Sequence, residues 1–229
     1  MKFKKKVIYT LNVGMKYCPQ ITNFTYPLMR RYAEKIDADF YIITERKFPD
    51  WPIAYEKLQI HTLAKEQERE WIYYIDSDAL VHPEFFDITN HFTKDVVIHN
   101  GSDLCNIRWK IDDVFRKDGR YIGSCNWFTI ASDWCIDLWH PLEDLTLQEA
   151  LDQIYPTVNE AKTVISKEHL LDDYVLSRNI AKYGFHFSTV TQLLQKLDPN
   201  SFYLYHEYTI PLHEKVMRIK QIIKDWGLV

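Results

Sequence analysis

The sequence predicts an α/β protein with a mostly parallel central sheet flanked by helices. Three observations carry that prediction. Short runs of apolar, β-branched and aromatic residues alternate with helical patterns from near the first residue, at the spacing of βαβ units. The runs are continuously apolar, as strands buried on both faces are. The third run, Trp71-Ile72-Tyr73-Tyr74-Ile75, ends abruptly in Asp76-Ser77-Asp78, and nothing in sheet packing calls for two carboxylates at a strand end.

Val7 to Val13 (VIYTLNV) reads as the first strand, followed by a loop through Gly14 and Pro19. A helix is expected from near Pro27 to Ile36, because proline suits a first helical turn. Ala38 to Thr44 is a second strand, and the loop Glu45 to Pro52 leads to a helix over roughly residues 54 to 68. Past Asp78 the pattern loosens. Pro83 to Phe92 reads as a short helix, and Asp95 to His99 as a strand. The stretch Gly119 to Ala131 contains a strand around Trp127 to Ala131, with Ser132 as N-cap of a following helix. Residues 143 to 168 are polar and read as helix with loops. A clearer helix spans about 169 to 183, with strands near Phe185 to Val190 and Phe202 to Tyr205. Glu214 to Trp226 is amphipathic, with Val216, Ile219, Ile223 and Trp226 at helical spacing. No repeat, low-complexity tract or long linker divides the 229 residues, so a single domain is expected.

A net charge of −4 provides no basic field to attract nucleic acid. The start Met1-Lys2-Phe3-Lys4-Lys5-Lys6 is basic, but Thr10 and Asn12 interrupt the apolar run after it, which is neither a signal peptide nor a membrane span. A cytoplasmic protein is expected, with the lysines able to contact an anionic membrane surface peripherally. The cysteines at 18, 105, 125 and 135 form no C-x-x-C and read as reduced thiols. Aromatic residues make up 15% of the chain, which suits a core or an interface as well as carbohydrate stacking. Six glycines supply neither G-x-G-x-x-G nor G-x-x-x-x-G-K-[ST], so any phosphate must be handled by metal and side chains.

In open α/β sheets ligands bind beyond the carboxyl ends of the strands. Two hard oxygen ligands there suit Mg²⁺ or Mn²⁺, which take one or two carboxylates together with substrate phosphates. A polar strand exit in which Asp78 caps the next turn is the structural alternative.

The order of these features resembles the nucleotide-binding half of a GT-A-fold glycosyltransferase. The residues that carry the resemblance are Tyr9-Thr10-Leu11-Asn12, Phe40-Tyr41-Ile42-Ile43-Thr44, Glu56-Lys57-Leu58 and Tyr74-Ile75-Asp76-Ser77-Asp78. It covers about the first 80 residues well and the rest loosely. It implies a Rossmann-like, mostly parallel sheet with a small antiparallel portion. Residues 1 to about 100 would form the nucleotide-sugar half, and about 101 to 229 the acceptor half and C-terminal helix. It also implies Mn²⁺ or Mg²⁺ held by Asp76 and Asp78 against the diphosphate of a nucleotide sugar, most often UDP. Thr10, Asn12, Thr44, Arg46 and Ser77 would then lie near the nucleotide, and Lys57 near the diphosphate or the sugar. The acceptor would be a glycan or a lipid-linked sugar.

Three further signals fit this scheme. Asp172 and Asp173 open a helical pattern, where the macrodipole favours carboxylates. The pair resembles the catalytic acidic pair of inverting GT-A enzymes, with Leu176 three and Gly184 eleven residues beyond Asp173, although Arg178 is one position early. One carboxylate would take the acceptor proton. In a retaining enzyme the pair would instead position the acceptor or steady an oxocarbenium-like centre. His206, ending an aromatic run, is a third candidate metal ligand. Asp103, Asn126 and Trp127 lie where such proteins build the sugar and acceptor pocket. A haloacid-dehalogenase-like phosphatase also has D-x-D after a strand, but near its N-terminus and with Thr or Val where Leu80 stands here. A binding module that keeps the fold without turnover is the non-enzymatic alternative.

Overall fold

The computed structural model describes residues 3–100, 127–154, 166–207 and 210–228. In chain order these contain β1 (Lys6–Leu11), α1 (Pro19–Lys35), β2 (Ala38–Ile43), α2 (Ile60–Glu66), β3 (Trp71–Ile75), β4 (Leu80–Val81), β5 (Val96–His99), β6 (Phe128–Ser132), α3 (Leu147–Asp152), α4 (Leu171–Tyr183), β7 (His186–Thr189), α5 (Val190–Leu197), β8 (Leu204–Tyr205) and α6 (Leu212–Asp225). The continuously apolar runs become a six-stranded sheet in the order β2-β1-β3-β6-β5-β7. β1 is parallel to β2 and β3, and β5 is parallel to β7, while β6 runs against both β3 and β5. The sheet is mostly parallel, as expected.

Both faces are buried, which is why the strands are apolar throughout. Ile8, Tyr73, Ile75 and Ile130 pack with Met29 and Tyr32 of α1. Val7, Tyr9, Ile72 and Tyr74 pack on the other side with Ala64 of α2 and Leu171, Val175 and Ile180 of α4. Each fully buried aliphatic side chain contributes about 1.5–3 kcal/mol. A third cluster joins Ile219 and Ile223 of α6 to Ile21 and Leu28 of α1 and to Leu80 of β4. β4 pairs antiparallel with β8, Leu80 opposite Tyr205 and Val81 opposite Leu204.

Several elements differ from expectation. α1 starts at Pro19, and Pro27 lies inside it. Pro27 and Asn23 are both exposed, so the carbonyl that the ring frees faces water, while Ile21, Thr25, Leu28 and Tyr32 keep the buried face continuous. The helix expected over 54 to 68 is a 3-10 segment, Ile53–Gln59, followed by α2. Tyr55 through Gln59 are all buried, so this stretch has no solvent face and no amphipathic stripe. Within 83 to 92 only Ile88–His91 is helical, in a 3-10 turn capped by Asp87. Ser132 caps as expected, accepting from the Trp134 amide, but of a 3-10 segment, Asp133–Trp139. α5 was not expected. It starts where Thr189 accepts from the Gln192 amide and ends the preceding strand. Gly184 takes a left-handed conformation (φ 67°) at the end of α4. No helix among the described residues is long and apolar enough to cross a membrane. The described cysteines, Cys18 and Cys135, are free, and the other two lie outside the described residues.

Candidate metal and donor site

The turn after β3 is anchored through its middle residue. The Ser77 hydroxyl donates to the Leu11 carbonyl at 2.6 Å and lies 3.0 Å from Thr10 Oγ1 and 2.9 Å from the Tyr26 hydroxyl. Thr25 Oγ1 donates to the Ser77 carbonyl at 2.6 Å. Asn12 Nδ2 donates to the Tyr26 hydroxyl at 2.8 Å, and Asn12 Oδ1 accepts from the Tyr17 amide at 2.8 Å. Thr10 and Asn12, at the end of β1, thus brace the turn.

Two strand registers complete the surroundings. β3 and β6 pair up to Ile75 opposite Phe128, and one step further the Asp76 amide donates to the Trp127 carbonyl at 2.8 Å. The β4–β8 register, extended by one residue, sets His206 across from Ala79 and beside Asp78. The Trp127 indole stacks on the His206 ring, with centroids 5.1 Å apart and planes at 16°. The candidate ligand atoms of Asp76, Asp78 and His206 lie within 4.8 Å of one another.

Each carboxylate has one oxygen engaged by protein donors and the other turned to the imidazole. Asp76 Oδ1 accepts from the Tyr74 hydroxyl at 2.6 Å and lies 3.8 Å from Lys57 Nζ, while Oδ2 is 3.8 Å from His206 Nε2. Asp78 Oδ2 accepts from the Tyr17 hydroxyl at 2.8 Å and from Lys215 Nζ, while Oδ1 is 3.3 Å from His206 Nε2. Burial opposes the charge on Asp78, yet His206 and Lys215 outweigh it and hold the carboxyl well below its ordinary pKa. Burial and the adjacent carboxylates push the Tyr17 and Tyr74 hydroxyls far above theirs, so both remain donors.

This donor set fits a divalent ion. Two hard carboxylate oxygens and an imidazole nitrogen converge, and outer partners fix the orientation of both carboxylates.

Asp172 and Asp173 lie in the first turn of α4, both buried. Neither occupies the cap, which is Leu170. Asp172 Oδ2 pairs with Lys57 Nζ, and its Oδ1 is buried without a hydrogen-bond partner among the described residues. Lys57 lies 4.4 Å over the Tyr74 ring. Burial opposes the Lys57 charge, but Asp172 and Asp76 outweigh it and raise its pKa. For Asp172, burial prevails over Lys57 and raises the pKa, with Asp173 and Asp76 adding to the rise. The chain Tyr74–Asp76–Lys57–Asp172 therefore links the metal ligands to the acidic pair.

The structure thus brings together Thr10, Asn12, Lys57, Asp76, Ser77, Asp78, Trp127, Asp172, Asp173 and His206. Arg46 is engaged elsewhere. Its guanidinium donates to the buried Glu56 carboxylate at 3.2 Å and to the Phe48, Pro49 and Trp51 carbonyls, clasping the loop after β2. The Thr44 carbonyl accepts from the Gly14 amide at 2.8 Å at the same sheet end. Asp103 and Asn126 lie outside the described residues. Sequence reasoning missed Tyr17, Tyr74 and Lys215. The signal for Lys215 was present: it is in register with Ile219 and Ile223, a lysine on the buried stripe of an amphipathic helix.

No family model and no curated protein sequence matches the chain. Among solved structures it is similar to a glycosyltransferase involved in glycosylation of the major capsid of PBCV-1. That likeness has a TM-score of 0.53 at 12% identity and covers 94% of this chain and 98% of that one. It is also similar to a Drosophila galactosyltransferase 7 in complex with manganese, UDP-Gal and xylobiose (TM-score 0.43, 7% identity, 92% and 79% covered). A third likeness is to the glycosyltransferase GlyE of Streptococcus pneumoniae (TM-score 0.39, 11% identity, 98% and 63% covered). On the first of these likenesses the fold is GT-A-like. The capsid-modifying enzyme shares it over nearly the full length of both chains.

Proposed function

We propose that this protein is a metal-dependent glycosyltransferase that uses a nucleotide-diphosphate sugar, with UDP as the favoured nucleotide. The observation that carries this reading is the pair of half-engaged carboxylates, Asp76 and Asp78, each turning its remaining oxygen toward His206. Those three residues would hold Mn²⁺ or Mg²⁺. Bound there, the ion supplies charge stabilisation to a departing diphosphate.

The other side chains have complementary tasks. Tyr74, Tyr17 and Lys215 keep the ligand carboxylates oriented. Thr10, Asn12 and Ser77 shape the end of β1 near the nucleotide, and Thr44 serves the end of β2. Arg46 supports that region through the loop it clasps. Lys57 stands between the donor site and the acidic pair. Asp173 is the favoured base toward the acceptor hydroxyl. Asp103 and Asn126 are assigned to the sugar and acceptor pocket from the sequence alone. The acceptor is a glycan or a lipid-linked sugar.

The test is calorimetric titration of UDP with and without Mn²⁺, repeated on Asp78→Asn. Binding that requires both the metal and Asp78 supports the donor site. Binding indifferent to both overturns it. Asp173→Asn should keep UDP binding and suppress transfer, and unchanged turnover would remove Asp173 as the base.

A further inference from the structure

Trp127 has a second neighbourhood. The indole that stacks on His206 also lines a cavity of about 180 Å³, with Val190, Leu194, Phe202, Tyr203 and Leu204 among the other walls. Resting on the transferase reading above, we propose that this cavity receives an apolar portion of the acceptor, held beside the hydroxyl that accepts the sugar. The occupant is one ring, or a branched hydrocarbon unit of similar bulk.

Three polar side chains at the cavity have commitments elsewhere. Thr191 Oγ1 donates to the main-chain carbonyl of Asn100 at 2.8 Å, and the backbone amide of Asn100 donates to the Phe128 carbonyl at 3.0 Å. Ser201 Oγ and the Tyr203 hydroxyl both donate to Asp198 Oδ2, at 2.5 and 2.8 Å. The space therefore presents mainly carbon: three aromatic rings and the aliphatic side chains of α5 and β8. A sugar ring seated here would bury hydroxyls with few partners, each at a cost in free energy, whereas a hydrocarbon would not. An apolar cavity of about 150 Å³ is enough to bind one benzene, so this one has room for a single ring or a unit of similar bulk.

Position makes this an acceptor feature and not an isolated void. Its wall is the residue that touches a candidate metal ligand, so an occupant lies next to where the donor would be held. Phe202 at the rim leaves 54% of its surface in water, and an apolar guest would cover part of it.

The experiment is a fluorine NMR titration of fluorobenzene against the full chain, beside the titration of UDP with Mn²⁺ on the same preparation. Wild type should bind the probe. Leu194→Trp, which fills the cavity, should abolish binding. Phe202→Ala, at an exposed position that tolerates substitution, should weaken it about three- to tenfold. Competition with phenol and with 3-methyl-2-buten-1-ol then separates an aryl source from an isoprenyl one, the better competitor naming the source. No probe binding, or binding that both variants leave unchanged, overturns the cavity assignment and leaves the donor-site reading untouched. Probe binding without Mn²⁺-dependent UDP binding overturns the transferase reading, and the acceptor assignment falls with it.

Discussion

Lys57→Met tests the buried link between the candidate metal site and α4. The Lys57 and Asp172 side chains are 3% and 4% exposed, so solvent does little to screen their attraction. Removing the ammonium leaves an aspartate whose Oδ1 has no hydrogen-bond partner among the described residues and whose Oδ2 has just lost its own. Breaking a buried pair from one side costs about 3–5 kcal/mol. That is a large share of the roughly 5–15 kcal/mol that holds a domain folded. In urea denaturation near neutral pH the midpoint should fall by about 1–2 M. Acid should narrow the gap. In the variant the folded Asp172 binds its proton more tightly than the unfolded chain does, because burial raises its pKa above the ordinary 3.8. Such a group contributes stability that is full below the unfolded pKa and is lost as pH rises through the folded one. The penalty of Lys57→Met should therefore shrink as pH falls through the raised folded value toward the ordinary 3.8. Adding Asp172→Asn should recover most of the loss. A cost below about 1 kcal/mol, or a double variant no more stable than the single one, would refute the buried-pair reasoning.

Other perturbations probe the supports of the site and the frame. Tyr74→Phe removes the hydroxyl that donates to Asp76 Oδ1 and keeps the ring beneath Lys57. Mn²⁺ affinity by calorimetry should drop about tenfold, and an unchanged affinity would remove Tyr74 from the outer shell. Asp87 accepts from Lys6, Tyr73 and Thr89, and against burial these hold its pKa below 3.8. Asp87→Ala should cost about 1–3 kcal/mol in urea melts at neutral pH. Because the folded pKa is the depressed one, that advantage is present above 3.8 and should fade as pH falls through the folded value. Gly184→Ala meets open space and bears only the left-handed backbone, so it should cost about 1 kcal/mol and lower Tm by about 2–4 °C.

What the sequence disclosed follows the range of the interactions involved. β1, β2 and β3 were legible because burial on both faces writes apolar runs locally. Asp76 and Asp78 stood out because carboxylates contradict such a run. His206 was visible as a residue but not as a neighbour of Asp78, since that proximity comes from the two-residue β4–β8 pairing across more than 120 positions. Lys57 was expected near the diphosphate or the sugar, but its burial was not legible, because the carboxylate that neutralises it, Asp172, comes 115 residues later. Pro27 misled because the proline of the first helical turn is Pro19, two turns earlier. The exposed face of Pro27 lets the helix run through.

The Lys215 contact has a bearing on the order in which the protein matures. Asp76 and Asp78 emerge from synthesis with β3, yet the histidine facing them comes 128 residues after Asp78, and the lysine that holds Asp78 comes 137 residues after it. Until α6 settles its isoleucines against α1 and β4, Asp78 lacks its ammonium partner. A partly made chain, or one nicked before α6, would carry the motif and lack the lysine that holds it. Ion affinity would thus report whether the last helix has docked, which ties competence for chemistry to completion of the fold.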